Sequence, residues 1–167
     1  GKGNVPLTEQ DETAPLNCYG ASKRAGEVAV LEVNPLALVL RVSWLYSPFG
    51  KNFYQTMLRL FKSEEQVKVV NDQVASPTNA VLLAENLLLL LQDHPDSSDL
   101  NGIFHYAEEG EASWFDFASE IHRLSGANCE LLSVDSSFFN TKAERPKYSK
   151  LSNEKLKRET GVEPHSW

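Results

Sequence analysis

Two mainly apolar stretches, separated by segments with helical periodicity, constrain the fold of this chain more than any other feature. They are PLALVLRVS (residues 35–43) and GIFHYA (residues 102–107). A strand with apolar residues at successive positions is buried on both faces, which is typical of parallel sheets covered by helices. The two stretches therefore predict the strands of an α/β core.

Helical spacing is found in most of the remaining sequence. The predicted helices begin near residues 16–17, 52, 81 and 113, and a last short helix ends at Gly161. Ser113 is a suitable N-cap and Gly126 a suitable stop for the helix between them. Short strands are predicted at Val67 and Glu130, and a loop over residues 72–78. Strands that alternate with helices predict mostly parallel pairing.

The composition is unfavourable for two classes of function. The 167 residues carry a formal net charge of −7, whereas a nucleic-acid interface carries clustered Lys and Arg. The longest apolar run starts at Val81 but contains Glu85 and Asn86, so it is shorter than the ~20 apolar residues of a membrane span. Cys18 and Cys129 lie in no metal-binding spacing, which is typical of free thiols in a cytoplasmic protein.

The stretch NCYGASKRAG (residues 17–26) places Tyr19 and Lys23 four residues apart at the start of a predicted helix. Four residues are about one helical turn, so both side chains leave the same face. An ammonium beside a phenol favours the phenolate, which suits the pair to proton transfer near neutral pH. The spacing alone also fits an ordinary surface helix, and the surrounding sequence favours the catalytic interpretation.

Five ordered segments give that context. PLNCYGASKRAGE resembles the catalytic helix of the extended short-chain dehydrogenase/reductase family, in which Tyr-x-x-x-Lys is followed by small residues and a glutamate. With four later segments, it resembles the dTDP-4-dehydrorhamnose reductase family over nearly the whole chain. The later segments are LRVSWLYSPFGKNF (40–53), VVNDQVASPT (69–78), GIFHYAEEGEASWFDFASEI (102–121) and RPKYSKLSNEKL (145–156).

This resemblance implies an oxidoreductase that uses NADPH or NADH to reduce the C4 ketone of a dTDP-sugar, dTDP-4-dehydro-L-rhamnose, in cell-surface polysaccharide biosynthesis. It implies that Tyr19 is the acid and that Lys23 supports it, with both residues also contacting the cofactor. It further implies that Trp44 contacts the sugar nucleotide, that Asn52 lines the same pocket and that Arg145 meets the diphosphate. A homodimer without a bound metal is expected.

The residues themselves also allow structural roles. Trp44 could fill the core, Asn52 could begin a helix, and Arg145 could form a surface ion pair. Three further residues are predicted to be core residues rather than catalytic ones: His105, Trp114 and Phe117.

The resemblance also indicates what this sequence lacks. The family's glycine-rich motif G-x-x-G-x-x-G and its ketone-polarising Ser or Thr have no counterpart here. We therefore expect the back half of a Rossmann-like doubly wound parallel sheet plus a small substrate-binding α/β subdomain. Residues 1–50 and 100–125 are assigned to the Rossmann-like core, and residues 51–99 and 126–167 mainly to the subdomain. The 167 residues alone are expected to be inactive and to bind no dinucleotide tightly.

Two alternative functions stay open. One is a non-catalytic binding protein of the same fold, similar to the regulatory subunit of methionine adenosyltransferase. The other is an epimerase or a reductase that acts on another nucleotide sugar. Epimerases usually carry R-x-x-N-x-Y-G after the strand, where this chain has Trp44.

Overall fold

The structure is a computed structural model that describes residues 3–95 and 100–167. In these ranges α-helices alternate with short strands. The helices are α1 Cys18–Val33, α2 Phe53–Ser63, α3 Ala80–Asp93, α4 Trp114–Ser125 and α5 Glu154–Thr160. The strands are β1 Leu38–Val42, β2 Leu45–Tyr46, β3 Gln66–Val70, β4 Val74–Ala75, β5 Thr78–Asn79, β6 Gly102–Tyr106, β7 Ala112–Ser113 and β8 Glu130–Val134. Over the same ranges, no helix has the length and hydropathy needed to cross a bilayer.

The predicted helices and longer strands are confirmed, with boundaries that shift by a few residues. Ser113 and Asp116 form a reciprocal capping box at the start of α4, and Gly126 ends that helix with a φ of 64°. The predicted loop over residues 72–78 is wrong in part, because it contains β4 and the first residue of β5. Strands of two residues are too short to show an alternating pattern, so their pairing is set by tertiary neighbours.

The strands pair mostly in parallel. β1 runs parallel to β6, from Leu38 opposite Gly102 to Val42 opposite Tyr106. β3 runs parallel to β8 and β2 to β5, whereas β4 and β7 are antiparallel. The predicted α/β class is therefore confirmed. The carboxyl ends of β1 and β6 lie at one edge, the place where open parallel sheets bind ligands.

Two apolar clusters form the interior. The first joins α2, β3 and α4, and its buried members are Met57, Phe61, Val67, Val69, Phe117, Ala118 and Ile121. The second packs α3 and α5 on the β1–β6 pair, and its buried members are Leu83, Leu90, Leu100, Phe104, Tyr106 and Leu156.

This packing differs from the predicted division of the chain in the placement of three helices. The prediction assigned α3 and α5 to the substrate-binding subdomain and α4 to the Rossmann-like core. In the structure α3 and α5 pack with β1 and β6, whereas α4 packs with α2 and β3. Apolar periodicity shows which face of a helix is buried but not which sheet it meets, so it could not decide this. The domain boundaries of the whole protein stay a prediction.

Candidate active site

Helix α1 presents Tyr19 and Lys23 on one accessible face. Asn17 caps the helix, since its side-chain oxygen accepts a hydrogen bond from the Gly20 N–H at 2.9 Å. Tyr19, in the first turn, is 71% exposed. Lys23 Nζ lies 5.4 Å from the centre of the Tyr19 ring. An ammonium and a phenol are thus presented together to a molecule bound against this face.

The start of α1 is tied to the loop that carries Arg145. The Asn17 side-chain amide donates a hydrogen bond to the Glu144 carbonyl oxygen at 2.9 Å. A few residues further on, Tyr148 is buried, and its hydroxyl donates to Glu111 Oε1 at 2.5 Å. Burial and the adjacent Glu111 carboxylate raise the pKa of Tyr148 to about 12, so the hydroxyl keeps the proton of this bond. Helix and loop therefore meet at a fixed junction.

A cavity of about 390 Å³ lies beside α2 and α4. Its wall is largely apolar and includes Phe53, Met57, Val69, Trp114 and Phe139. Two exposed cationic side chains, Lys68 and Arg145, also line it. A mostly apolar recess with a few polar groups is the usual form of a small-molecule site.

A wider groove of about 950 Å³ continues from this cavity. The two recesses share Gln73, Ser136, Phe139, Thr141 and Arg145. Ala14 and Leu16, in the segment that leads into α1, border the groove on its other side. The cavity therefore opens toward the N-terminal end of α1. Of the described residues, Tyr19 and Lys23 are not part of either lining.

Trp44 stacks flat on Trp114 at the side of this cavity. The ring centroids are 3.5 Å apart and the planes differ by 9°. Trp44 has a φ of 38°, the only positive value for a non-glycine residue in the described part of the chain. That conformation is unfavourable, and the stacking helps to offset it. Trp114 lines the cavity, whereas Trp44 stacks on Trp114 and is not among the lining residues. The contact predicted between Trp44 and a sugar nucleotide stays a prediction.

Trp114 was predicted to be a core residue, and this describes only part of its environment. It packs against the α2–α4 cluster and also lines the cavity, and it is half-buried. It is the first residue of a helix that follows β6 and β7, close to the edge where parallel sheets bind ligands. This position in the sequence is the signal from which a place of Trp114 in the site could have been predicted. Phe117, one turn later, is 4% exposed and is confirmed as a core residue.

Asn52 makes its hydrogen bonds with the backbone of its own turn. Its Oδ1 accepts from the Gln55 N–H at 3.0 Å, which caps α2. Its Nδ2 donates to the carbonyl oxygens of Ser47 and Phe49, both at 2.9 Å. Asn52 therefore has the helix-start role that the sequence left open, and it is the adjacent Phe53 that lines the cavity.

Arg145 and Lys68 give the recess its positive charge. In residues 3–95 and 100–167, neither makes an ion pair with an acidic side chain. Lys68 Nζ lies 4.7 Å from the centre of the Phe138 ring. The sequence did not identify Lys68, because its place between buried Val67 and Val69 shows only that it points away from the core. The described residues include no group of three or more His, Cys, Asp or Glu that could hold a metal ion.

The whole sequence, residues 1–167, matches the family model described as the RmlD substrate binding domain. The chain belongs to this family. The solved structures that this chain resembles include two dTDP-4-dehydrorhamnose reductases. The protein from Clostridium acetobutylicum has a TM-score of 0.91 and 39% identity, over 100% of this chain and 57% of that one. The protein from Bacillus anthracis, in complex with NADP, has a TM-score of 0.87 and 36% identity, over 97% and 55%.

A curated relative agrees with this membership of the RmlD family. The spore coat polysaccharide biosynthesis protein SpsK of Bacillus subtilis is 37% identical over 167 residues, which is 100% of this chain and 56% of that protein. The chain thus spans little more than half the length of its relatives. It corresponds to their C-terminal portion, as the sequence predicted.

His105 and Glu108 are two of the buried titratable side chains of this RmlD-family domain, on and just after β6. His105 is 1% exposed, and its Nδ1 and Nε2 lie 3.1 Å from the Leu7 carbonyl oxygen and 3.4 Å from Arg41 Nη1. Burial lowers the pKa of His105, and the prediction of a core histidine is confirmed. Glu108 is also 1% exposed, and neither carboxyl oxygen has a hydrogen-bond partner among the described residues. Burial raises the pKa of Glu108.

Proposed function

We propose that this chain is the substrate-binding and proton-donating part of a reductase that converts dTDP-4-dehydro-L-rhamnose to dTDP-L-rhamnose with NADPH or NADH. The observation that carries the proposal is the accessible Tyr19–Lys23 face of α1, together with a recess of aromatic walls and two cations whose adjoining groove reaches the segment that leads into α1. The names of the two solved relatives support the substrate, and the NADP in one of them supports the cofactor.

The recess has the chemistry that a nucleotide sugar needs. Phe53 and Trp114 offer aromatic faces on which a base or a sugar ring can pack. Arg145 and Lys68 are suited to the diphosphate, since a guanidinium binds phosphate oxygens in pairs and an ammonium acts as a compact charge. We place the diphosphate at Arg145, because this residue belongs to both recesses and so lies between the cavity and α1.

Reduction of a ketone requires one proton at the developing C4 oxygen, and Tyr19 is the residue that supplies it. Its O–H donates to that oxygen, and the resulting phenolate is favoured by the Lys23 ammonium one helical turn away. Tyr19 then regains a proton from solvent, to which the side chain is open.

The residues present fit one end of a nicotinamide dinucleotide. Tyr19 and Lys23 lie on an exposed helix face and can hydrogen-bond to ribose hydroxyl groups. When bound, the cofactor supplies the hydride that adds to C4. Capture of its pyrophosphate needs a glycine-rich turn at a helix N-terminus, which we assign to a half of the reductase that this chain does not span.

The product would serve cell-surface polysaccharide biosynthesis, and the name of SpsK supports this assignment. Because Cys18 and Cys129 are both free thiols, we propose a cytoplasmic enzyme. A homodimer is part of the same proposal.

The proposal is tested in the full-length reductase, meaning this chain together with a dinucleotide-binding half. The wild-type protein should oxidise NADPH or NADH only when dTDP-4-dehydro-L-rhamnose is present. Tyr19→Phe should lower kcat by at least ~10², the usual contribution of a positioned acid, and leave binding of the nucleotide sugar nearly unchanged.

Tyr54→Phe is the matched control, because it removes a phenol hydroxyl from α2 and should leave kcat unchanged. Full activity of Tyr19→Phe would reject Tyr19 as the acid. Wild-type protein that binds the nucleotide sugar but never oxidises the cofactor would favour the non-catalytic binding protein. Release of an isomerised sugar without net oxidation of the cofactor would favour an epimerase.

A further inference from the structure

Helix α1 is held to the rest of this chain mainly by polar contacts. None of its residues is buried. Its half-buried positions are Gly20, Arg24, Glu27, Val28 and Leu31, which form one narrow face. The rotation of the helix about its axis sets the direction in which Tyr19 projects, so a directional contact on this face would fix that direction.

One contact on this face is strongly directional. Arg41 Nε donates to Glu27 Oε1 and Arg41 Nη2 donates to Glu27 Oε2, each at 2.7 Å. The two side chains are 19% and 15% exposed, so the pair is only partly accessible to water. A two-point contact between guanidinium and carboxylate fixes both distance and orientation. The same contact lowers the pKa of Glu27, which keeps the carboxylate charged.

Glu27 lies on the helix at a position related to the reactive pair. Tyr19, Lys23 and Glu27 follow one another at intervals of four residues, and each interval turns about 40° around the axis. Glu27 is therefore roughly 80° from Tyr19, at the border between the half-buried face and the exposed one. A fixed Glu27 determines the rotation of the helix and hence the direction of Tyr19 and Lys23.

Arg41 is itself held from one further direction, by His105, which is held in turn by Leu7 and Glu9. It lies on β1 directly opposite His105 of β6. The Leu7 carbonyl oxygen can only accept, so His105 Nδ1 carries the proton and Nε2 is free to accept from Arg41 Nη1. Glu9 Oε1 accepts from the His105 backbone N–H at 2.8 Å. Each of the three guanidinium nitrogens thus has a partner.

We propose that Glu27 and Arg41 are positioning residues, which orient the Tyr19–Lys23 face of α1 for proton transfer and are themselves oriented by His105. This inference rests on the proposed function, because it assumes that Tyr19 donates a proton to substrate.

Glu27→Gln in the full-length reductase keeps the shape of the side chain and removes its charge. We expect kcat to fall by about tenfold, with KM for the nucleotide sugar within twofold, because orientation of the acid and not binding is disturbed. The solvent deuterium isotope effect on kcat should rise, since proton transfer becomes slower relative to other steps. Glu32→Gln, the same change at an exposed position of the same helix, is the control and should change none of these values.

Two further measurements test the contact between Glu27 and Arg41 itself. The charge-swapped protein Glu27→Arg/Arg41→Glu should recover at least part of the kcat lost by each single variant. Amide hydrogen exchange in α1 should accelerate at least about tenfold in Glu27→Gln and stay at the wild-type rate in Glu32→Gln. Unchanged kcat, isotope effect and exchange in Glu27→Gln would overturn the proposal.

The exchange measurement also distinguishes this proposal from the proposed function. An inactive wild-type protein in which Glu27→Gln still accelerates exchange in α1 would reject the reductase function, and with it the orienting role, and would leave the pair only as a contact that stabilises α1. An active wild-type protein whose Glu27→Gln variant keeps full kcat would reject the pair and leave the reductase function standing.

Discussion

The strained backbone at Trp44 leads to a prediction about the order of stability of two variants. Alanine is normally more favourable than glycine by about 0.5–1 kcal/mol, because glycine loses more conformational freedom on folding. At Trp44 the φ of 38° costs any residue with a Cβ roughly 1–2 kcal/mol, and glycine avoids this cost. We therefore expect Trp44→Gly to be more stable than Trp44→Ala by about 0.75 kcal/mol, the difference between the midpoints of these two ranges. Both should be less stable than wild type, since each loses the stacking on Trp114.

The matched control is the partner in the stack. Trp114→Ala and Trp114→Gly lose the same ring contact, but Trp114 begins α4 and alanine should be the better residue there. The free energy of unfolding of all four variants can be measured from urea transitions followed by far-ultraviolet circular dichroism. The free energy of unfolding of the glycine variant should exceed that of the alanine variant at Trp44 and be smaller than that of the alanine variant at Trp114. The same sign at both positions would refute the argument from backbone strain.

Three further predictions concern the buried acid, the cations and the chain by itself. Since burial raises the pKa of Glu108, the contribution of this side chain to stability falls as pH rises above the ordinary value of 4.5. Glu108→Gln should therefore gain stability relative to wild type between pH 5 and pH 8, and a difference in urea midpoint between variant and wild type that is the same at both pH values would contradict this. Arg145→Ala and Lys68→Ala should each raise KM for the nucleotide sugar about tenfold to a hundredfold, because each loses one charged hydrogen bond to phosphate. Lys62→Ala, outside the recess, should leave KM unchanged, and a KM for either variant as low as that of Lys62→Ala would reject the phosphate contact. The 167 residues alone should show no NADPH or NADH binding by calorimetry at micromolar concentrations, and tight binding would reveal a phosphate site in this chain.

The secondary structure was predictable because its signals are local. The cap at Ser113, the stop at Gly126 and the apolar runs of β1 and β6 each act within a few residues. The packing of α3, α4 and α5 depends on which strands pair across the chain, and this is not encoded in any single window of sequence.

The candidate site divides in the same way. The spacing of Tyr19 and Lys23 predicted a shared face because both lie on one helix. Lys68 and Trp114 come to the recess through the packing of β3 and α4. No local pattern marked Lys68, and the only signal for Trp114 was its position at the start of the helix after β6 and β7. Asn52 was recognised by its motif, but its side chain is used by the turn beside it.

The paired strands are far apart in the sequence, and this separation affects how fast the chain folds. Arg41 and His105, opposite one another on β1 and β6, are 64 residues apart in the chain, as are Gln66 and Glu130 on β3 and β8. Closing such loops costs entropy before any contact is gained, so these pairs form slowly compared with the helices between them. During synthesis, β1 and β3 must wait for most of the chain to leave the ribosome, and their unpaired edges are exposed for several seconds at ordinary elongation rates of ~5–20 residues per second. Rare codons or truncations between β3 and β8 should therefore lower the yield of soluble protein more than equally destabilising substitutions within a helix.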